Sequence, residues 1–289
     1  MSPPTPYPDL NAVLQELVRS QQAVLGSSFV GAYLQGSFAV GDFDEHSDVD
    51  FTVAVENELS EVQVQALQVM HGRIFDLACE WARHLEGSYF PKPVLRFYAR
   101  RGSQLWYLDN GHRALVRSEH CNTAVVRWTV RVHGVTLAGP APASLVDPIP
   151  VELLRKEILA VINDWGRKIL AEPESFHNRF YQGFIVLSYC RMLHDLRVGS
   201  VGSKRTGAEW AKVTLDLSWA GLIERAWLTR PNPAVSVRQP PDAEDFARTM
   251  EFVRYVMSEA TREEPGVGRL ADRESAGHGG RRASKTCPR

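Results

Sequence analysis

Gly31-Ala-Tyr-Leu-Gln-Gly36-Ser37-Phe-Ala-Val-Gly41-Asp-Phe-Asp-Glu-His-Ser47-Asp48-Val49-Asp50-Phe51 is the stretch on which the reading of this chain turns. An apolar run from Phe29 to Leu34 reads as a buried strand. A small-residue turn at Gly36-Ser37 follows, then a polar loop, then a second strand from Val49 to Val55 that opens on two carboxylates. Side chains alternate along a strand, so Asp48 and Asp50 share one face while Val49 and Phe51 face the core.

Two like charges held side by side raise each other's pKa, an arrangement that a cation between them relieves. Hard oxygen ligands suit Mg²⁺, which is commonly held by one or two carboxylates together with substrate phosphates. Gly36 has no side chain to obstruct an anion, so backbone N–H groups and the Ser37 hydroxyl can approach phosphate oxygens. The pattern thus describes a site for a metal-bound nucleotide. Taken singly, an Asp-x-Asp at a strand end is also what a solvated rim looks like, and Gly-Ser is a common turn. The order of the pieces joins them.

Composition sets the outer limits. The 289 residues allow one large or two modest domains. A hydrophobic fraction of 44% and a charged fraction of 23% are those of an ordinary globular protein. Lys and Arg number 33 against 34 Asp and Glu, so no basic field points to nucleic acid. Cys79, Cys121, Cys190 and Cys287 lack metal-ligand spacing. The first three fall in stretches that read as helices with apolar neighbours, as buried reduced thiols do. With neither a signal-peptide pattern at the N-terminus nor an apolar run of bilayer length, the expected compartment is the cytoplasm.

Around the central stretch, Leu10 to Leu25 has helical apolar spacing and ends at Gly26. Ser60 reads as the N-cap of a long helix to about Leu85, with Val62, Leu67, Val69, Ile74, Leu77, Ala78 and Trp81 on its buried stripe. Leu85 to Phe90 reads as a short strand, with Glu86 either facing the site or simply ending the helix. From Arg96 to Arg117 the chain is basic and aromatic, a run that either stacks a base and touches phosphates or covers a core. A helix from Asn122 to Val132 and a strand from Val135 lead to a Pro/Ala linker at 140–150, the best domain boundary. Beyond it, helices are expected at Val151 to Leu170, Arg179 to Val198, Lys204 to Leu217, Trp219 to Leu228 and Asp242 to Thr261, an antiparallel bundle. The segment 263–289 is Gly-, Arg- and Ser-rich and reads as a disordered tail.

Strand, Gly-Ser, loop and Asp-apolar-Asp-apolar together resemble the signature of the nucleotidyltransferase superfamily, the polymerase-beta-like fold. Residues 10 to 260 further resemble the aminoglycoside adenylyltransferases that modify streptomycin and spectinomycin. Val-His-Gly-Val-Thr-Leu-Ala-Gly-Pro ending at Pro140, Asp147-Pro-Ile-Pro, Ile185 to Arg191, Gly199 to Lys204 and Ala208-Glu209-Trp210-Ala211 carry that resemblance. It implies an α/β (α+β) nucleotidyltransferase domain with a mixed sheet over 1–150, followed by an all-α helical bundle over 151–262. It also implies roles. Asp48 and Asp50 would bind Mg²⁺, and Gly36 and Ser37 would hold the phosphates of ATP. Glu86 would take the proton from an attacking hydroxyl. Arg191 and Lys204 would reach the phosphates from the bundle, although without the resemblance a helical Arg reads as snorkelling and a Lys after a Gly-Ser turn as a cap.

The implied reaction is Mg-dependent transfer of AMP from ATP to a hydroxyl of a small molecule, an aminoglycoside such as streptomycin or spectinomycin, by a monomer that binds neither membrane nor nucleic acid. The chain departs from the family where the drug should sit. Arg179-Phe-Tyr-Gln-Gly-Phe184 stands where the family has acids, leaving Asp164, Trp165, Glu172, Glu174 or Glu209 to compensate. Two alternatives therefore stay open: a transferase with a non-antibiotic acceptor, small molecule or protein, and a non-catalytic nucleotide binder of the same fold.

Overall fold

The computed structural model describes residues 3–98, 103–230 and 236–263. The expected tail lies outside the described residues from 264 onward, as do Cys287 and positions 99–102 of the basic, aromatic run.

The first half is built on a six-stranded mixed sheet. Its strands are β1 (Phe29–Leu34), β2 (Val49–Val55), β3 (Leu85–Pro91), β4 (Leu105–Leu108), β5 (Leu115–Ser118) and β6 (Val135–Ala138), in the order β5-β4-β3-β2-β1-β6. β2 and β3 run parallel and the other neighbours antiparallel. A parallel pair needs a crossover, and α3 (Glu61–Phe75) supplies it. Helix α1 (Pro8–Leu25) packs beside α3 on the same core.

Helix α3 begins as the sequence indicates: Ser60 accepts from the Gln63 N–H while the Gln63 side chain reaches back to Ser60. It ends ten residues before Leu85, however. The strand pairing prevails over the helical pattern: Val49 N–H donates to His84 O at 2.8 Å, so the chain must already be turning before β3. Residues 80–83 form a 3-10 turn, and Leu77 from the preceding bend and Trp81 from that turn pack, half-buried, against the core. The buried face of α3 is Val64, Leu67, Met70, His71 and Ile74, whereas Val62 and Val69 are 76% and 74% exposed. The thiols also differ from expectation. Cys190 is helical, but Cys79 and Cys121 lie in turns.

A polar chain crosses the core between α1, α3 and β3. Gln21 Nε2 donates to Tyr89 Oη at 3.3 Å, which leaves the Tyr89 proton for His71 Nε2 at 2.8 Å. Burial pulls the His71 pKa down to about 3, so the ring is neutral.

Residues 140–150 do not behave as a slack linker. They form α6 (Pro142–Leu145), following the short α4 (Lys92–Arg96) and α5 (Ala124–His133) in chain order, and Leu145 and Val146 are buried. Arg131 Nη1 donates to Ala143 O and Val146 O, and Arg96 pairs with Asp147 at 3.0 Å. After Pro150 the described residues are helical: α7 (Val151–Ala171), α8 (Arg179–Val198), α9 (Lys204–Thr214), α10 (Ala220–Leu228) and α11 (Ala243–Arg262). Helix α8 is buried over most of its surface, as befits a central helix, and packs on the other four. The two halves meet through Glu157 of α7, whose carboxylate accepts from Ala124 N at 2.8 Å and Val125 N at 3.4 Å. An anion there satisfies the open N–H groups that begin α5.

Because the unfolded chain binds a proton at His71 below pH 6.5 and the folded chain does not, this residue's contribution is complete above pH 6.5 and is lost as pH falls toward 3. Thermal midpoints measured from pH 7 to pH 4 are expected to fall less steeply in His71→Gln, which keeps a partner for Tyr89, than in the parent.

Candidate active site

Strand β1 hands the chain to α2 (Gly36–Val40), a five-residue helix rather than a simple turn. Gly36 has φ +59°, and a Cβ there would stand 1.9 Å from Asp50 Oδ2. Glycine is thus required twice over, by the backbone conformation and by the carboxylate lying against it. Asp48 ends the loop before β2, and Asn110 Nδ2 donates to its Oδ1. The parallel register sets Asp50 opposite Glu86, bringing a third carboxylate beside the first two. Gly87, next to Glu86, would drive a Cβ to within 2.2 Å of Phe51 O, so the close pairing of β2 and β3 also depends on a glycine.

Glu86 is held rather than free. The Tyr107 hydroxyl lies 2.8 Å from Glu86 Oε1 and 2.9 Å from Asp109 Oδ1, one phenolic proton between two acceptors, and His120 Nε2 stands 3.4 Å from Glu86 Oε1. The hydrogen bond to Glu86 raises the His120 pKa above the ordinary value. Burial, then the charge of Glu86, holds both Asp48 and Asp50 above the usual carboxylate range. Burial pushes the Cys121 thiol, also on the pocket wall, up to about 12, which removes it as a nucleophile at neutral pH.

In the helical half, Arg191 faces the pocket from α8 and Lys204 from the start of α9. Gly199 closes α8 at φ +76°, and Asp195 Oδ1 accepts from Gly202 N at 2.8 Å and lies 2.9 Å from His194 Nδ1. Ser203 then caps α9, accepting from Thr206 N at 3.0 Å, so Lys204 is the first residue of the helix. A Cβ on Gly207 would stand 2.5 Å from Arg191 Cα, so this glycine lets α9 lie against α8 where Arg191 departs. Burial, then Arg191, pulls the Lys204 pKa down to about 8, the three carboxylates opposing that fall; the ammonium remains mostly charged at neutral pH.

Gly36, Ser37, Asp48, Asp50, Glu86, Arg191 and Lys204 all line one pocket of about 370 Å³ between the two halves. Asn110, His120, Asp42, Trp227 and Arg230 line it too and were not legible as site residues. Of these, Asn110 lies in the basic, aromatic run, but the run's described arginines turn away. Arg96 pairs with Asp147, Arg113 with Asp76 and Arg117 with Glu58. Arg179, Phe180, Gly183 and Phe184 form the wall at the start of α8, and none of Asp164, Trp165, Glu172, Glu174 or Glu209 reaches the pocket. Asp164 pairs with Arg167, Glu209 with Lys212, and Trp165 stacks on Tyr189.

The chain is similar to known proteins over both of its halves. The family model for the aminoglycoside adenylyltransferase C-terminal domain matches residues 144–259. An aminoglycoside (3'') (9) adenylyltransferase of Escherichia coli is 23% identical over 266 residues, covering 88% of this chain and 96% of that protein. A spectinomycin 9-adenylyltransferase of Staphylococcus aureus is 24% identical over 215 residues, covering 70% and 78%. The chain is an aminoglycoside adenylyltransferase-like nucleotidyltransferase. Its fold is shared by the spectinomycin adenyltransferase AAD(9) from Enterococcus faecialis, solved with ATP and spectinomycin. The TM-score is 0.62 at 14% identity, over 86% of this chain and 98% of that one.

For a nucleotidyltransferase the carboxylate cluster has a plain physical use. Among the described residues no three His, Cys, Asp or Glu side chains form a complete metal cage. A hard divalent cation that draws its remaining ligands from substrate phosphates needs none, and the raised carboxylates Asp48 and Asp50 suit it. In the absence of ligand that cluster costs stability. Asp50→Asn is expected to raise the thermal midpoint of the free protein, by about 2–4 °C if repulsion worth about 1 kcal/mol is relieved. The same change is expected to remove any further rise on adding Mg²⁺ and ATP.

Proposed function

We propose that this protein transfers AMP from ATP to a hydroxyl group of an aminoglycoside or aminocyclitol antibiotic, with Mg²⁺, and releases pyrophosphate. The observation that carries the reading is the convergence on one pocket of Gly36, Ser37 and three carboxylates from the sheet with Arg191 and Lys204 from the helices. The antibiotic acceptor follows from the relatives, whose similarity extends over both halves of the chain.

In this reading the backbone at Gly36 and the Ser37 hydroxyl cradle phosphate oxygens, while Arg191 and Lys204 neutralise the triphosphate from the opposite wall. Asp48 and Asp50 hold Mg²⁺, which when bound neutralises charge on the phosphates. Glu86 accepts the proton of the acceptor hydroxyl. The acceptor oxygen forms a bond to the α-phosphorus, the bond from that phosphorus to the bridging oxygen breaks, and pyrophosphate carries away the electron pair. Tyr107 fixes the Glu86 carboxylate so that its free lone pairs face the pocket. Residues 1–150 form the catalytic domain and 151–262 the domain that closes on ATP, the acceptor entering between them. The wall at the start of α8 offers the acceptor aromatic faces and Arg179 rather than carboxylates.

The test is pyrophosphate release from Mg·ATP with spectinomycin, streptomycin and further aminoglycosides. Release is expected only when an antibiotic is present. Glu86→Gln is expected to lower kcat on the order of 10²–10⁴-fold with the KM for ATP little changed, the loss of a general base. Lys204→Ala is expected to raise the KM for ATP. No release with any antibiotic, or release that survives Asp50→Ala, would contradict the reading.

A further inference from the structure

The loop from Gly41 to Asp48 joins the Gly36-Ser37 turn to the strand that carries Asp50, so its position sets where Asp48 stands. One side of it is pinned to its own half: Phe43 stacks on Phe38 with ring centroids 4.6 Å apart, and Asp42 N donates to Ser37 O. The residues on either side of Phe43 point the other way. Asp42 Oδ1 lies 3.0 Å from Arg205 Nε, and Asp44 pairs through Oδ2 with Arg230. The other Asp44 oxygen accepts from His46 N at 3.0 Å, which closes the turn and aims Oδ2 outward.

The arginines come from separate elements of the helical half, Arg205 directly after Lys204 and Arg230 just beyond α10. Both stand on one indole. Arg205 Cζ lies 5.3 Å and Arg230 Cζ 4.6 Å from the Trp227 ring centroid. Two like charges gather there only because an aromatic face and two aspartates receive them. The side chains of Asp44 and Arg230 are each 26% exposed, so that pair is better shielded from solvent than an ordinary surface ion pair, while in the other pair Asp42 is 17% and Arg205 55% exposed.

We propose that Asp42, Asp44, Arg205, Arg230 and Trp227 form an electrostatic clasp that holds the loop bearing Asp48 against the helix bearing Lys204 and so sets the spacing of the two walls of the pocket. These are positioning residues: they act on a ligand through Asp48 and Lys204. The ATP arm of the test rests on the nucleotidyl-transfer reading, while the exchange arm does not.

The full chain carrying Asp42→Asn and Asp44→Asn is compared with the parent by amide hydrogen exchange and by Mg·ATP titration. The clasp predicts faster exchange in residues 41–48 and 203–207 with α1 and α11 unaffected, and an apparent Kd for Mg·ATP raised roughly tenfold as the closed arrangement becomes less populated. It also predicts that Asp42→Arg combined with Arg205→Asp recovers much of the protection lost in Asp42→Arg alone. Unchanged exchange in the double variant, or a charge swap that recovers nothing, overturns the clasp even if Mg·ATP binds the parent and the function stands. Faster exchange with recovery in the swap supports the clasp even if neither protein binds Mg·ATP, a result that would sink the proposed function instead.

Discussion

Everything in the pocket depends on the register of one parallel strand pair. Asp50 stands opposite Glu86 because β2 and β3 align Val49 with Leu85, and a slip of one residue would turn Glu86 to the other face of the sheet. That register is enforced by Phe51, Val53, Val55, Leu85 and Tyr89, which fill the core beneath, and by two glycines that admit no side chain. At Gly36 the excluded Cβ would meet Asp50 itself; at Gly87 it would meet the Phe51 carbonyl. The outcome is a set of like charges in a poorly solvated place. A fold under no functional demand would disperse them, because burial and mutual repulsion both disfavour the charged forms.

The opposite wall is built with equal economy. One turn between α8 and α9, pinned by Asp195 and Ser203, aims Lys204 across the pocket, while Gly207 lets Arg191 emerge beside it. The walls keep their relation through polar contacts between the halves. Glu157 caps α5 at one side of the interface, and the aspartates of the 41–48 loop meet arginines at the other. Polar joints of this kind hold geometry well and can open on a modest change in charge, which suits a cleft that must admit two substrates and release two products.

How much of this was legible in the sequence varies with the range of the forces involved. β1, β2 and α8 could be read to the residue, because alternation or helical spacing of apolar residues coincides there with real burial. The end of α3 could not: Leu77 and Trp81 continue its apolar pattern but pack half-buried from outside the helix, and the pairing of Val49 with His84 decides where the helix stops. Val62 and Val69 were misplaced for a related reason. A valine on a helix signals nothing about which face meets the core. Asp48, Asp50, Gly36 and Ser37 announced themselves by local order, whereas Arg191 and Lys204 were nameable only through family resemblance. Asn110, His120, Trp227 and Arg230 could not be named from the sequence, since they reach the pocket from segments that only tertiary packing brings together, and Tyr107 acts only through its hydrogen bond to Glu86.

The central claim is that the clustered carboxylates serve to hold the metal of a bound nucleotide. Electron paramagnetic resonance of Mn²⁺, used in place of Mg²⁺, tests it most directly when the protein is titrated with and without a non-hydrolysable ATP analogue. The account predicts weak binding of Mn²⁺ alone and strong binding, with an altered Mn²⁺ spectrum, once the analogue is present; Asp48→Asn with Asp50→Asn should abolish both. Equal Mn²⁺ binding with and without the analogue, or a spectrum indifferent to loss of the two aspartates, would contradict it.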